Sequence, residues 1–420
     1  MRIVDFSLSS SYPQSVAAGA GNRIFNLNSE LSKRFIVFQF SFMPSEYIYI
    51  RKTELLKFLF HISKSNTIQI PLKSRIVEIT EKYTEFTFAN PFFLFLDYIS
   101  WRMRSRSKLP VFVPSFLDQT SLSLSRRKII ESDLVQVETL WHFDWVYKNM
   151  PKNKPIVLVA HDVDFLKHQK KCRKRILQMI REREKRAVEK ADEIFVVSED
   201  DQETICKEYC VGRSKIHIVP NGIDTSRFKC STEEEKKEIK RRFGFSNKII
   251  VLFVGSSYFP NIEAVERIRY IASNVKEDRI LFLIAGSVGE YVRKQKTHNV
   301  SYTGYINDIQ PYFRMADIAI NPVVSGGGTN IKMLEYLASG LPVITTSFGA
   351  RGLRIQNNKH VLISNIDEFP EKIEELILNK KRRMGLSEEG RKVTVKHYDW
   401  KVIAKKAIGI YDKITSTRSE

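Results

Sequence analysis

The sequence predicts two doubly wound α/β domains, each built on a parallel sheet that is covered by helices. The chain has 420 residues, which exceeds the roughly 100–200 residues of one ordinary domain. Short runs rich in β-branched residues alternate with longer amphipathic stretches through both halves. Because these runs are continuously apolar, they indicate strands that are buried on both faces of a parallel sheet.

The first series of strands begins at the N-terminus. We predict strands at residues 2–8, 35–40, 134–137, 156–160, 194–197 and 216–219. Amphipathic helices are predicted between them, at residues 22–34 and 199–209 among others. Residues 41–130 do not follow this pattern. An insertion would account for them, and we assign no strands there.

The second half repeats the alternation more clearly. We predict strands at residues 249–254, 280–285, 300–303, 317–321 and 343–346. The turn signal Pro220-Asn221-Gly222 and a polar stretch at 231–242, either a linker or a charged helix, mark the junction. We therefore expect an N-terminal domain at residues 1–228 and a C-terminal domain at 229–396.

The composition indicates a polyanionic partner. Lys and Arg number 68 against 48 Asp and Glu, which gives a net charge of +20. Lipid headgroups, lipid-linked phosphates and nucleic acid all satisfy such a charge. No helix-turn-helix, RNA-recognition or zinc-finger pattern is present, which argues against nucleic acid. The densest basic run, residues 167–186, is either a membrane or acceptor-phosphate contact or a solvated helix face.

No segment reaches the ~20 apolar residues that cross a bilayer. The nearest, residues 86–101, is interrupted by Asn90, Pro91 and Asp97 and is followed by a basic cluster at 102–108. It is either an element that inserts at an anionic lipid interface or an aromatic core element before a solvated loop. The N-terminus lacks a signal-peptide pattern and there are only four cysteines. We therefore expect a cytoplasmic protein, with peripheral attachment to the inner face of the plasma membrane left open.

The segment 317–353 has the pattern of an anion-binding turn. A predicted strand leads into the glycine run 326–328, and a helix then carries Thr329, Asn330, Lys332 and Glu335. Glycines let backbone N–H groups approach an anion, and the helix N-terminus adds partial positive charge. Lys332 would supply a full charge to a diphosphate, and Glu335 would accept hydrogen bonds from sugar or ribose hydroxyls.

This segment closely resembles the donor-binding region of the retaining glycosyltransferases of family 4, which have the GT-B fold. The resemblance continues, in the family's order, through IVPNGID (218–224), LFVGSSYFPNIEAV (252–265), FLIAGS (282–287), YTGYINDIQPYFRMADIAINP (302–322) and HYDWKVIAKKAIGIYDKI (397–414). It is thinner at the N-terminus, where SVAAGAGNRIFNLNSELSKRF resembles the family's Gly-rich loop and helix. It implies two Rossmann-like domains that face a central cleft and a C-terminal helix, 397–420, that returns to the N-terminal domain.

The resemblance also implies roles for residues of the C-terminal domain. Glu335 matches the second of two family acids and would hold the donor's ribose. The first acid is replaced by Gly327, beside Gly328 in the phosphate turn. Gly255 and Ser256 match the turn that faces the donor phosphates.

The family's Arg and Lys beyond the Gly255-Ser256 turn are absent from this chain. We expect Lys332 and Arg351 to meet the diphosphate charge in their place. Tyr305 and Ile306 occupy the loop that frames the nucleotide base.

Two further roles fall in the N-terminal domain. His161 matches a histidine near the transferred sugar, and we expect it and Glu335 to be the catalytic residues. Gly19 and Gly21 match the loop that closes over the phosphates. The implied activity is a metal-independent hexosyl transfer with retention, from a UDP- or GDP-sugar to a glycan or lipid-linked acceptor, with no cofactor.

Three alternatives remain at this stage. Asp162-Val163-Asp164 imitates the metal site of the other main glycosyltransferase fold, or it caps the helix that follows. Glu138 is either an acceptor-side base or a packing residue. The replacement of an acid by Gly327 leaves open a GT-B-like protein that binds sugar nucleotides without turnover.

Overall fold

The chain forms two compact units in the computed structural model, which describes residues 1–9, 19–43, 47–51, 67–71, 75–87, 122–169, 174–292, 299–326 and 329–417. One unit comprises Met1–Pro220 with Ile403–Glu420, and the other comprises Asn221–Val402. The junction lies before the expected residue 228 because the backbone N–H of Ile223 donates to the carbonyl of Tyr398 at 2.8 Å. This bond ties the segment after Pro220 to the second unit.

The first unit contains a mixed sheet of eight strands in its described part. Its strands are β1 (Arg2–Ser9), β2 (Ile36–Met43), β5 (Arg75–Thr80), β6 (Tyr83–Thr87), β7 (Leu134–Val137), β8 (Ile156–Ala160), β9 (Glu193–Val196) and β10 (Ile216–Ile218), and β3 (Tyr47–Arg51) and β4 (Thr67–Pro71) form a separate antiparallel pair. The order is β10-β9-β8-β7-β1-β2-β6-β5, and only β5 runs antiparallel to its neighbour. All six strands predicted in this half are confirmed, and β3 to β6 fall in the stretch that was left unassigned.

Helices cover this sheet. They are α1 (Gly19–Leu31), α2 (Leu122–Glu131), α3 (Leu140–Asn149), α4 (Asp164–His168), α5 (Lys174–Lys190) and α6 (Glu199–Tyr209). Helix α6 shows why the sequence starts a helix where it does. The Ser198 hydroxyl accepts the backbone N–H of Asp201 at 3.1 Å, and three acids in the first turn favour the positive end of the helix dipole.

The second unit has a fully parallel sheet of six strands within its described residues. Its strands are β11 (Ile249–Val254), β12 (Ile280–Ala285), β13 (Val300–Tyr302), β14 (Ile318–Asn321), β15 (Val343–Thr345) and β16 (Leu362–Ile363). Its helices are α7 (Glu233–Arg242), α8 (Phe259–Asn274), α9 (Val288–Val292), α10 (Gln310–Met315), α11 (Ile331–Ala338), α12 (Ser347–Ala350), α13 (Phe369–Leu378) and α14 (Lys380–Tyr398).

The strand order of this sheet is β13-β12-β11-β14-β15-β16. The chain adds β12 and β13 on one side of β11 and then β14, β15 and β16 on the other side, so the order of addition reverses beside β11. Such a reversal opens a crevice beyond the carboxyl ends of the strands, where open α/β sheets bind ligands. The polar stretch after the junction is a charged helix, α7, with a capping box between Thr232 and Glu235. Both predictions of a doubly wound, Rossmann-like unit are therefore confirmed.

The last helix, α15 (Trp400–Ser416), contains the second boundary between the units. Beyond that boundary it packs on the first unit through the buried side chains Ile403, Ala407 and Tyr411. The ring of Tyr411 stacks on Phe195 with 5.5 Å between centroids, and its hydroxyl hydrogen-bonds to Gln136. The C-terminal helix thus returns to the N-terminal unit, as the resemblance implied.

Candidate functional site

Two strand ends of the second sheet approach closely enough to require glycine. Gly286 follows β12 with a φ of +105°, and a Cβ there would lie 2.4 Å from the carbonyl oxygen of Gly255 after β11. The backbone N–H of Gly255 donates to the carbonyl of Ala285 at 2.9 Å. This packing leaves the next residue, Ser256, exposed at the edge where the reversal opens the crevice.

Lys332 lies on α11 but reaches the turn that follows β11. Its ammonium donates to the Asn261 side-chain oxygen at 2.6 Å and lies 4.3 Å from the centroid of the Phe253 ring. Asn261 in turn donates to the carbonyl of Ser256 at 3.0 Å. Burial lowers the pKa of Lys332 to about 7, and the nearby Glu335 opposes that shift. Lys332, which we expected near the donor phosphates, therefore reaches the turn after β11 from helix α11.

Glu335 lies one turn along α11 from Lys332. Burial raises the pKa of its carboxyl, while Lys332 and Arg227 act in the opposite direction. Among the described residues, none donates a hydrogen bond to this carboxylate. It is therefore free to accept hydrogen bonds from the hydroxyls of a ligand, which is the role expected for it.

The glycine-rich turn lies beside the start of α11. Gly327 and Gly328 lie outside the described residues. Asn330 is the N-cap residue of α11, and its side-chain amide donates to the carbonyl of Gly349 at 3.3 Å. Thr329 accepts a long contact of 3.5 Å from the Asn221 amide.

Arg351 reaches the same turn from the loop after α12. Its guanidinium donates to the carbonyl of Gly326 at 3.3 Å and stacks 4.0 Å from the centroid of the Phe348 ring. The second expected cation is therefore also close to the turn that carries the predicted phosphate-binding glycines.

Tyr305 and Ile306 form the loop after β13. The backbone N–H of Tyr305 donates to the Glu290 carboxylate at 3.0 Å, and the tyrosine side chain is 69% exposed. Ile306 packs against the core of the unit. An exposed aromatic ring on a tethered loop can stack on a nucleotide base.

The N-terminal residues that the resemblance singled out lie in the first unit. Gly19 and Gly21 fall in the first turn of α1 rather than in a loop that precedes it, because the helix starts at Gly19. Two residues further, Arg23 is 1% exposed and donates to the carbonyls of Val219 and Pro220 at 2.9 and 2.6 Å. This arginine anchors the start of α1 to the segment after β10, where the first stretch of the unit ends.

His161 follows β8, and its Nε2 lies 2.7 Å from Oε2 of Glu138, which follows β7. Neither aspartate of the Asp-x-Asp sequence beside it caps a helix. Asp162 pairs with Lys167 at 2.6 Å, and the N-cap of α4 is Val163, without a side-chain bond. In the part of the chain that the structure describes, no three His, Cys, Asp or Glu side chains form a metal-binding group.

Sequence reasoning missed several residues that shape these sites. They are Asn261, Arg227, Glu290 and Arg23. Asn261 could have been found, since it is a polar residue on the buried face of a predicted helix within a matched motif. The other three act across elements that are distant in sequence, and no local pattern marks them.

None of the described helices is long and apolar enough to cross a membrane. The aromatic and basic segment at 88–108 and the residues 170–173 lie outside the described residues. In α5, Arg181 pairs with Glu208 at 3.0 Å and Arg186 pairs with Asp144 at 2.9 Å. The later part of this basic run is therefore a solvated, ion-paired helix face.

Two family models match the chain, and together they span more than half of it. "Glycosyltransferase Family 4" matches residues 79–227, and "Glycosyl transferases group 1" matches residues 248–379. Solved structures show the same fold. HepE of Anabaena, solved in complex with UDP, aligns with a TM-score of 0.68 at 12% identity, over 98% of this chain and 100% of the other.

Curated relatives match a smaller part of the sequence. An uncharacterized glycosyltransferase of Methanocaldococcus jannaschii is 25% identical over 52% of this chain and 59% of its own length. A GDP-mannose-dependent monoacylated alpha-(1-6)-phosphatidylinositol monomannoside mannosyltransferase of Corynebacterium glutamicum is 23% identical over 46% of this chain and 55% of its length. The matches therefore span between half and two thirds of these relatives.

Proposed function

Because the chain belongs to the family 4 glycosyltransferases of GT-B fold, we propose that it transfers a sugar from a nucleotide-diphosphate sugar to a glycan or lipid-linked acceptor. The observation that carries this proposal is the pair formed by Lys332 and Glu335. A cation and a carboxylate on one helix lie beside a glycine-rich turn at the carboxyl edge of a parallel sheet. The cation suits the diphosphate of a donor, and the carboxylate suits the hydroxyls of its ribose or sugar.

The donor would bind along the carboxyl edge of the second sheet. Lys332, Arg351 and the N-terminal backbone of α11 would hold the diphosphate, while Glu335 would accept hydrogen bonds from ribose or sugar hydroxyls. Tyr305 would stack on the base. Both UDP and GDP are candidates, since HepE was solved with UDP and the Corynebacterium relative is named as GDP-mannose-dependent.

We propose transfer with retention and without a metal ion. The bond between the anomeric carbon and the diphosphate oxygen breaks, and the acceptor hydroxyl forms a new bond on the same face of the sugar. The proton of that hydroxyl passes to the leaving diphosphate oxygen. Lys332 and Arg351 would stabilise the negative charge that develops on the leaving group, and His161 would contact the transferred sugar and orient it.

The charge of +20 favours an acceptor that carries phosphate or is presented at an anionic membrane. We propose peripheral contact through basic residues of the N-terminal unit on the cytoplasmic side. Lys174 and Arg175, at the start of α5, are exposed and belong to the first part of the basic run 167–186, and that part contains no acidic residue.

The test is thermal stabilisation of the purified protein by UDP-, GDP- and ADP-sugars. A ligand at about 100 times its dissociation constant stabilises the folded state by about 2.7 kcal/mol. We expect a shift with one nucleotide class, lost in Glu335→Ala and kept in the matched control Glu371→Ala, whose side chain is exposed on α13. The absence of a shift with all three classes would contradict donor binding.

Donor hydrolysis then separates an enzyme from a binding protein. One feature of the sequence favours a binding protein without turnover, since Gly327 stands where the family has an acid. Release of free sugar or transfer to an added acceptor supports the transferase. A clear thermal shift without hydrolysis or transfer supports a protein that binds sugar nucleotides and has lost turnover.

A further inference from the structure

The side chains of His161 and Glu138 form a close pair at the carboxyl edge of the first sheet. They follow β8 and β7, which are adjacent and parallel. His161 Nε2 and Glu138 Oε2 are 2.7 Å apart, and their side chains are 19% and 1% exposed. Both atoms are buried, and neither makes a well-aligned hydrogen bond to any of the described residues. The contact between Nε2 and Oε2 is therefore a close polar approach of the two side chains.

Glu138 is fixed from behind. Its Oε1 accepts the side-chain amide of Gln136 at 2.6 Å, and its backbone N–H donates to the carbonyl of Phe6 at 2.8 Å. Gln136 directs its amide NH2 at Glu138, and its own oxygen accepts the Tyr411 hydroxyl of α15. These contacts leave Oε2 as the one carboxylate oxygen directed at His161.

Other charged groups that interact with Glu138 do not replace this pairing. The Arg23 guanidinium, on α1, donates to two backbone carbonyls, Val219 and Pro220. Burial, and then repulsion from Glu138, raise the pKa of Asp5 on β1 well above its ordinary value. Asp5 also accepts the Asn28 amide at 2.8 Å. Neither group is hydrogen-bonded to Oε2, whereas Nε2 of His161 lies 2.7 Å from it.

The Glu138 side chain is only 1% exposed and offers an acceptor almost no surface, which argues against the alternative that it is a base. We infer that Glu138 is a positioning residue that holds Nε2 of His161 and thereby presents Nδ1 to a hydroxyl of the bound sugar. This inference rests on the proposed function, in which His161 contacts the transferred sugar. An outer carboxylate commonly fixes the tautomer and orientation of a functional imidazole in this way.

A double-mutant cycle tests whether Glu138 acts through His161. Glu138→Ala should lower kcat for donor turnover about 10- to 100-fold, with little change in the donor KM, because only the orientation of the ring is lost. Glu138→Gln keeps an oxygen acceptor and should recover part of that loss. In a His161→Ala background, Glu138→Ala should cause no further decrease. An equal decrease with and without His161 would overturn the inference.

Glu85 provides the matched control. It is a fully buried carboxylate on β6, four strands away from β8 in the same sheet. In the double variant, the factors by which Glu85→Gln and His161→Ala each lower kcat should therefore multiply, as expected for two sites that do not interact. Melting temperatures of all variants show whether each retains its fold.

A spectroscopic measurement decides the inference even if no donor is turned over. In ¹⁵N-histidine-labelled protein, an imidazole N–H held by a carboxylate exchanges slowly with water and gives a resolved proton signal. We expect this signal in the wild type, its absence in His161→Ala and Glu138→Ala, and its retention in Glu138→Gln. A signal from His161 that is unchanged in Glu138→Ala refutes the positioning role. Failure of every nucleotide sugar to react would refute the proposed function alone.

Discussion

Lys332→Met should change both the stability of the protein and its affinity for a donor, in opposite directions. Methionine has an unbranched aliphatic side chain like that of lysine but carries no charge, so it removes the ammonium that contacts both Asn261 and the Phe253 ring. Burial lowers the pKa of Lys332 to about 7, against about 10.4 in an unfolded chain. The folded protein therefore tolerates the neutral amine better than the ammonium.

The sign of the stability effect follows from the protons that each state binds. Between about pH 7 and 10.4 the unfolded chain holds a proton on Lys332 that the folded state has lost, so stability rises with pH in that window. A folded pKa of about 7 gives a gain of about 2 kcal/mol from pH 7 to pH 9. Because Lys332 keeps part of its surface accessible, solvent screening reduces this to about 1–2 kcal/mol.

The donor should respond in the opposite sense. A diphosphate binds the ammonium, and the diphosphate of a nucleotide sugar keeps its charge across this range. With a pKa of about 7, the protonated fraction falls about tenfold from pH 6 to pH 8, and the dissociation constant should rise by about that factor. Lys332→Met should bind weakly at both pH values.

Titration calorimetry at pH 6 and 8 measures the affinity, and urea unfolding at pH 7 and 9 measures the stability. Lys359→Met is the matched control, since that lysine is exposed on the surface of the same unit and should alter neither quantity. The reasoning would be refuted if the difference in unfolding free energy between wild type and Lys332→Met were the same at both pH values. It would equally fail if the variant bound the donor as tightly as the wild type.

Three further perturbations test the packing around the two units. Gly286→Ala should lower the free energy of unfolding by about 3–5 kcal/mol, since its Cβ would lie 2.4 Å from the Gly255 carbonyl oxygen. The control Gly244→Ala has a φ of +77° and open space around the new Cβ, so it should lower that free energy by only about 1–2 kcal/mol. Equal losses of stability in urea unfolding would contradict this. Tyr411→Phe should cost about 1–2 kcal/mol because it removes a buried hydroxyl from its glutamine acceptor, and an unchanged unfolding midpoint would argue against that bond. Truncation after His397 should lower the melting temperature sharply, since it uncovers apolar surface that α15 buries; a folded, fully active truncated protein would contradict the packing.

The sequence alone determined the fold class of both units and the strands outside residues 41–130, apart from the two-residue β16. Continuous apolar runs fixed β11 and β12 to the residue, because strands that are buried on both faces have no polar positions to blur their ends. The glycine run and the helix after it marked the turn at which we expect phosphate to bind. Residues 41–130 could not be assigned, since β5 and β6 are interrupted by polar residues and lack the continuous apolar runs that marked the other strands.

Only the tertiary structure decided which side chains act together. Lys332 and Asn261 are 71 positions apart, and Tyr411 reaches Gln136 across 275 positions. Glu138 could be read from the sequence as a base or as a packing residue, and only the structure shows that its carboxylate is buried with Oε2 2.7 Å from Nε2 of His161. Hydrophobic periodicity records which face of an element is buried, whereas the charge, hydrogen bonding and pKa of a side chain depend on partners that the folded chain brings within a few ångströms.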